Sequence, residues 1–302
     1  MIVGSAGFLI GIILGSFVKA LADRSIIRKS FWGRSYCPKC RHKLAWYDLV
    51  PILSFISLKG KCRYCHKKIG IEYVLVEVGM GILIGFLFWQ TPFVIARSEA
   101  TWQSVFQSLI LLADLLSKTF FITVLAILFL TDLKKMLIPD RIIVPGIIFG
   151  VILNLATAVL NIVYLYYALS QTVIGRLLLP PKSDYFQRHV LLIVQPFFWS
   201  FLTGAAIGGF FLSLIILTRG KGMGGGDVKL GAFMGVMLGF PQALFALVLS
   251  FLTGAVFSIG LILLRKKHFG QTIPFGPFLS LGSLIMIFWG REIINWYLHL
   301  GA

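Results

Sequence analysis

Long apolar runs dominate this chain, and they constrain its fold more than any other feature. They cover residues 2–21, 73–95, 110–131, 141–162, 196–218, 228–240, 242–264 and 275–298. About 20 apolar residues in a helix cross a bilayer. In hydrocarbon each backbone N–H and C=O must find its partner inside the chain, so such runs fold as helices. The sixth run is short, and Pro241 separates it tightly from the seventh. It is expected to tilt, to extend back through Asp227, or to enter the membrane only in part. With 58% hydrophobic and 13% charged residues, the chain has too few charges to coat a soluble fold of 302 residues. The expected class is an all-α polytopic membrane protein with about eight transmembrane helices.

The net charge of +17 would suggest nucleic acid as a partner for a soluble protein. Its distribution points elsewhere. With the N-terminus outside, 22 of the 28 lysines and arginines fall on one side of the membrane, 13 of them between Lys19 and Lys68. That asymmetry is the positive-inside bias of cytoplasmic loops. The lipid bilayer is therefore the expected partner, and no nucleic acid is. The first apolar run lacks a basic segment before it, and positive charge begins after it at Lys19 and Arg24. It reads as an uncleaved anchor rather than a secretory signal.

Two Cys-x-x-Cys pairs, Cys37/Cys40 and Cys62/Cys65, lie 21 residues apart in the basic loop. Four thiolates on two short turns suit the tetrahedral preference of zinc. Metal binding could supply the folding free energy of a small loop with few core residues. A redox dithiol is the competing reading, but the thioredoxin-like βαβ context it needs is missing. The apolar stretch at 49–58 is too short to cross and is expected to lie at the interface or fold within the loop.

Two aspartates border apolar runs on the same expected side. Asp132 opens TDLKKMLIPD, and Asp227 lies in GKGMGGGDVKL beside the glycines Gly222, Gly224, Gly225 and Gly226. Ionisable residues at membrane depth are functional candidates. Two carboxyls in proximity share a proton, so the pair can activate water and polarise a carbonyl. Either aspartate alone also fits a helix cap, and Asp140, after Pro139, has the stronger look of one. The glycines lack the Lys-Ser/Thr of a phosphate-binding loop. On the residues alone, a metal-regulated transporter with the aspartates as ion ligands stands as the alternative.

The stretches CPKCRHKLAWYDLVPILSF, KGKCRYCHKKIGIEYVLVE, TDLKKMLIPD, GKGMGGGDVKL and IPFGPFLSLG occur in this order between about Gly15 and Gly282. Together they resemble the type IV prepilin peptidases, the leader peptidase/N-methyltransferases of the GxGD aspartic protease class. The resemblance implies an enzyme of the bacterial inner membrane that cuts at the cytoplasmic face. Its substrates would be prepilins or pseudopilins, cut after a leader glycine and before a hydrophobic helix. It also implies N-methylation of the new N-terminus from S-adenosylmethionine. The implied catalytic pair falls on Asp132 and Asp227, the zinc ligands on Cys37, Cys40, Cys62 and Cys65, and a family glutamate on Glu77. Glu77 is thus a candidate for the active site or the methyl-transfer cofactor. After GSF, where the family commonly carries an asparagine phrase, this chain has VKALADRSIIRKSF.

The expected organisation is a first helix at 1–21, a cytoplasmic four-cysteine loop at 22–72 and a transmembrane protease core at 73–302. Residues 163–195 are expected to form an external linker or short interfacial helix. Asp114 and Lys118 are expected to pair at i,i+4, and Trp46, Trp89 and Trp296 to anchor at the interface. Pro274, Gly276 and Pro277 are expected to open the last span with an irregular turn.

Overall fold

The computed structural model describes residues 2–31, 33–91, 102–220, 223–264 and 273–299. Gly222 of the glycine run and the basic residues Arg97, Lys221, Arg265, Lys266 and Lys267 lie outside them. The described residues hold ten α-helices and two isolated β-bridges. The helices are α1 (Ile2–Ile26), α2 (Leu53–Ser57), α3 (Glu72–Gln90), α4 (Trp102–Lys135), α5 (Asp140–Ser170), α6 (Val173–Leu177), α7 (Tyr185–Leu217), α8 (Gly225–Leu238), α9 (Gln242–Leu263) and α10 (Gly276–His299).

Seven of these are long and apolar enough to cross a membrane: α1, α3, α4, α5, α7, α9 and α10. The remaining apolar run, the sixth, forms α8, whose 14 residues reach only about 21 Å at 1.5 Å per residue. Its start at Gly225 carries it back through Asp227. Large apolar side chains such as Leu9, Ile13, Phe17, Val248, Leu252 and Val256 are exposed along the spans. Water would oppose such surfaces, whereas lipid covers them. Asp114 and Lys118 pair at 2.7 Å, and Trp46, Trp89 and Trp296 are all exposed. The region at 163–195 contains the five-residue α6, but α5 continues to Ser170 and α7 begins at Tyr185. The linker is therefore shorter than the apolar runs suggest.

The chain divides into two compact units. Unit 1 comprises Met1–Pro92 and Ile122–Leu137. Its base is α1 against α3, packed through glycines at four-residue spacing. A Cβ at Gly7 would fall 2.6 Å from the Cβ of Phe88, one at Gly11 2.8 Å from the Cα of Gly81, and one at Gly15 2.6 Å from the Cα of Glu77. Lipid tails are as apolar as leucine, so membrane helices associate by such close packing rather than by hydrophobic transfer.

Unit 2 comprises Phe93–Phe121 and Ile138–Ala302. Here α8 is the buried centre, with Leu230, Phe233, Met234 and Val236 in the core. A Cβ at Gly235 would lie 2.7 Å from the backbone N of Gly204 on α7, and one at Gly231 2.6 Å from the ring of Phe211. Asn154 of α5 donates to the backbone carbonyl of Val236 at 2.7 Å. Phe121 meets Phe233 edge-on at 5.1 Å. Because α8 is enclosed by protein, its short length exposes little backbone to lipid. Gly276 and Pro277 begin α10 and are both buried, with proline in the first turn, where its missing N–H costs no helical bond.

Gly11→Leu and Gly235→Leu are each expected to lower stability by at least the roughly 1–3 kcal/mol typical of overpacking, because the obstruction is backbone. Gly79, with open space around its Cβ position, is the control. Thermal unfolding midpoints in detergent should drop for the first two and stay near wild type for Gly79→Leu.

Candidate active site and metal centre

The two cysteine pairs fold alike. Cys37 N–H donates to the His42 carbonyl at 3.0 Å and Arg41 N–H to the Cys37 carbonyl at 2.8 Å. Twenty-five residues later the same bonds recur: Cys62 N–H to Lys67 at 3.0 Å and His66 N–H to Cys62 at 2.9 Å. Each knuckle closes with an antiparallel bridge, Tyr36 with Lys43 and Lys61 with Lys68. Arg41 and His66 both take positive φ, 59° and 54°. This structural repeat was not evident from the sequence, where only the cysteines and a few basic residues coincide.

All four Sγ atoms lie within 4.8 Å of one another, and those of Cys37 and Cys65 are 3.9 Å apart. Thiolates at about 2.3 Å from a tetrahedral ion sit about 3.8 Å apart. The donor set therefore fits a metal. Burial pushes the Cys37 thiol up, but backbone N–H groups of Cys40 and Lys39 and the neighbouring thiols outweigh it and hold the group at about 7. His42 packs against Tyr64 with ring centroids 3.7 Å apart and the rings tilted by 31°.

The apolar stretch at 49–58 folds within this loop as a 3-10 turn at Trp46–Leu49 followed by α2. Glu77 of α3 fixes it in place. Its carboxylate is buried and accepts the Ile52 N–H at 2.8 Å. Ile52 has φ 60°, an uncommon conformation for a β-branched residue. Glu77 thus holds a strained turn, and it also lines a cavity of about 600 Å³ in unit 1. Other walls of that cavity come from Ala20, Leu49, Phe55 and Tyr73, with the carboxylates of Asp23, Asp48 and Glu72.

Asp132 lies in the last full turn of α4, within unit 1, and is 5% exposed. The helix ends directly after it: Met136 N–H donates to the Asp132 carbonyl at 2.8 Å, and Met136 turns to φ 50°. Four charged side chains converge at this level of unit 1. Lys134 Nζ meets Glu72 Oε2 at 2.6 Å and Asp23 Oδ1 at 3.5 Å. Lys19, 1% exposed, pairs with Asp23, lies 3.5 Å from Glu72 Oε1 and sits 4.1 Å over the Tyr73 ring. Tyr73 donates its hydroxyl proton to Asp23 at 3.0 Å. The i,i+4 spacing of Lys19 and Asp23 signals one of these pairs. The others join residues 50 to 111 positions apart, beyond reach of any local pattern.

Asp227 lies in the first turn of α8, within unit 2. Its N–H donates to the Gly224 carbonyl at 3.2 Å. Gly226 is small because its Cβ position lies 3.0 Å from Ile138. Two positions beyond Ile138, Asp140 pairs with Lys229 of α8. Asp140 is therefore not the cap of α5. Pro139 takes that position, with no side-chain bond, and the Asp140 carboxylate ties the IPD turn to the GGGD helix. The two aspartates belong to different compact units, and each is placed by its own packing.

Two family descriptions match the chain: the bacterial peptidase A24 N-terminal domain over residues 9–91 and the type IV leader peptidase family over 119–259. A prepilin leader peptidase/N-methyltransferase of Aeromonas salmonicida is 34% identical over 265 residues, 88% of this chain and 74% of the relative. One of Bacillus subtilis is 31% identical over 301 residues, 97% of each chain. One of Pseudomonas aeruginosa is 29% identical over 268 residues, 89% and 76% of the two. No solved structure matches. The similarity runs nearly end to end and includes the cysteine loop and both aspartate segments, so the chain belongs to the type IV leader peptidase family.

Proposed function

We propose that this protein is a membrane aspartic endopeptidase that removes the leader from type IV prepilins or pseudopilins and N-methylates the new N-terminus. The observation that carries this is near-full-length similarity to prepilin leader peptidase/N-methyltransferases, with both aspartates inside the 119–259 peptidase match. The transporter alternative is set aside on the same ground. The charge asymmetry supports a multi-pass protein of the inner membrane, N-terminus outside, cutting at the cytoplasmic face.

Asp132 and Asp227 act as the catalytic pair. One carboxylate takes a proton from water as its oxygen attacks the scissile carbonyl carbon. The other, protonated, donates to the carbonyl oxygen. The tetrahedral diol then collapses: the C–N bond breaks, the leaving amine takes a proton from the carboxyl that gained one, and a diol hydroxyl returns its proton to the other carboxylate as the new C=O forms. The pilin's apolar helix stays in the bilayer while the leader lies in the cytoplasm.

Zinc is the metal that four thiolates at these separations suit. It folds the loop rather than doing chemistry, because four cysteines leave no ligand position for water. S-adenosylmethionine, when bound, supplies an electrophilic methyl group for the new amine. The unit 1 cavity lies within the roughly 300–1,000 Å³ of small-molecule sites. Leu49, Phe55 and Glu77 are the lining residues that would hold the cofactor.

Asp132→Ala and Asp227→Ala are each expected to abolish release of the leader from a purified prepilin in liposomes. Mass spectrometry of the wild-type product should show an increment of about 14 Da for one methyl group. Cleavage by both variants would remove the pair from the mechanism. Metal analysis of wild type should give one zinc per chain, and Cys62→Ser should lose most of it with a lower unfolding temperature.

A further inference from the structure

We propose that Lys134 is a positioning residue for Asp132, acting through an ionic clamp onto Asp23 and Glu72. The inference rests on Asp132 being catalytic. Asp132 occupies a helix end, where the last carbonyls lack intrahelical partners and fraying is easiest. Lys134 follows two residues later, about 200° around the helix. It leaves α4 on a different side from Asp132 and grips Asp23 and Glu72, so it can fix the height and rotation of this helix end through the backbone.

What it grips is rigid. Asp23 and Glu72 stand on α1 and α3, which are locked by backbone approach at Gly7, Gly11 and Gly15. The four charges form a closed alternating ring: Lys134 meets Glu72 and Asp23, and Lys19 meets the same two carboxylates. Tyr73 completes it from α3. An isolated exposed pair contributes little to stability, and Glu72 is 49% exposed. A ring with one member buried, Lys19, instead restricts geometry. This also accounts for the lysine of the GSFVK phrase: its ammonium is inside the ring. Lys135, next along, makes no ion pair among the described residues and is exposed, so it separates loss of charge from loss of the clamp.

The test is leader cleavage by the full-length protein in liposomes, with kcat and KM measured on one prepilin. Misplacing a catalytic group by about 1 Å costs about 10²-fold. Lys134→Met is therefore expected to lose about that in kcat with KM changed less than about twofold. Lys134→Arg should keep most activity, and Lys135→Met should match wild type. Glu72→Gln should also lower kcat, and Lys134→Met with Glu72→Gln should lose no more than Lys134→Met alone, because the two act as one unit. Circular dichroism and thermal unfolding confirm folding of each variant; should Lys134→Met not fold, the Glu72→Gln result decides. Lys134→Met or Glu72→Gln behaving like Lys135→Met, or strictly additive losses in the double variant, would overturn the clamp. Cleavage surviving Asp132→Ala would instead overturn the catalytic assignment beneath it.

Discussion

Backbone polar groups cannot be left unpaired in hydrocarbon, and the rest of this molecule follows from that constraint. It forces the apolar runs into helices and leaves little driving force for those helices to associate except close contact. Glycine provides the contact in both units. Gly7, Gly11 and Gly15 bring α1 onto α3, and Gly231 and Gly235 bring α8 onto α7. Charged chemistry is then pushed to helix ends, where water and protein dipoles can reach it. Asp132 at the end of α4 and Asp227 at the start of α8 are products of that sorting.

Each aspartate is held by a different device. Around Asp227, Gly226 lets the helix start settle on Ile138, and Lys229 pairs with Asp140. Around Asp132, Lys134 reaches the carboxylates on α1 and α3. The cysteine loop joins the second arrangement, because Glu77 on α3 holds the loop's Ile52. A folded loop, a locked helix pair and the clamped end of α4 are thus parts of one compact unit. On the proposed function, a metal held by the four cysteines would support the peptidase without entering its chemistry.

The membrane class and most spans were legible because hydropathy alone sets them: the runs at 242–264 and 275–298 match α9 and α10 to within a residue. The long helices were underestimated at their ends. Polar residues such as Gln103, Ser104 and Gln107 start α4 well before its apolar run. The cysteine cluster was legible because the spacing of two knuckles reports directly on metal geometry. The ring of Lys19, Asp23, Glu72 and Lys134 was not, since three helices must be packed before those charges meet. Asp140 misled for the same reason. Its local context suggested a cap, and a lysine 89 residues away claims it instead.

The central claim is that two carboxyls share one proton while water attacks. The most direct measurement is the pH dependence of kcat/KM for leader cleavage over roughly pH 4 to 9. A one-proton pair predicts a bell: activity falls on the acid side as the second carboxyl protonates, and on the alkaline side as the shared proton leaves. A rate that rises monotonically across that range would contradict the aspartate pair as the catalytic unit.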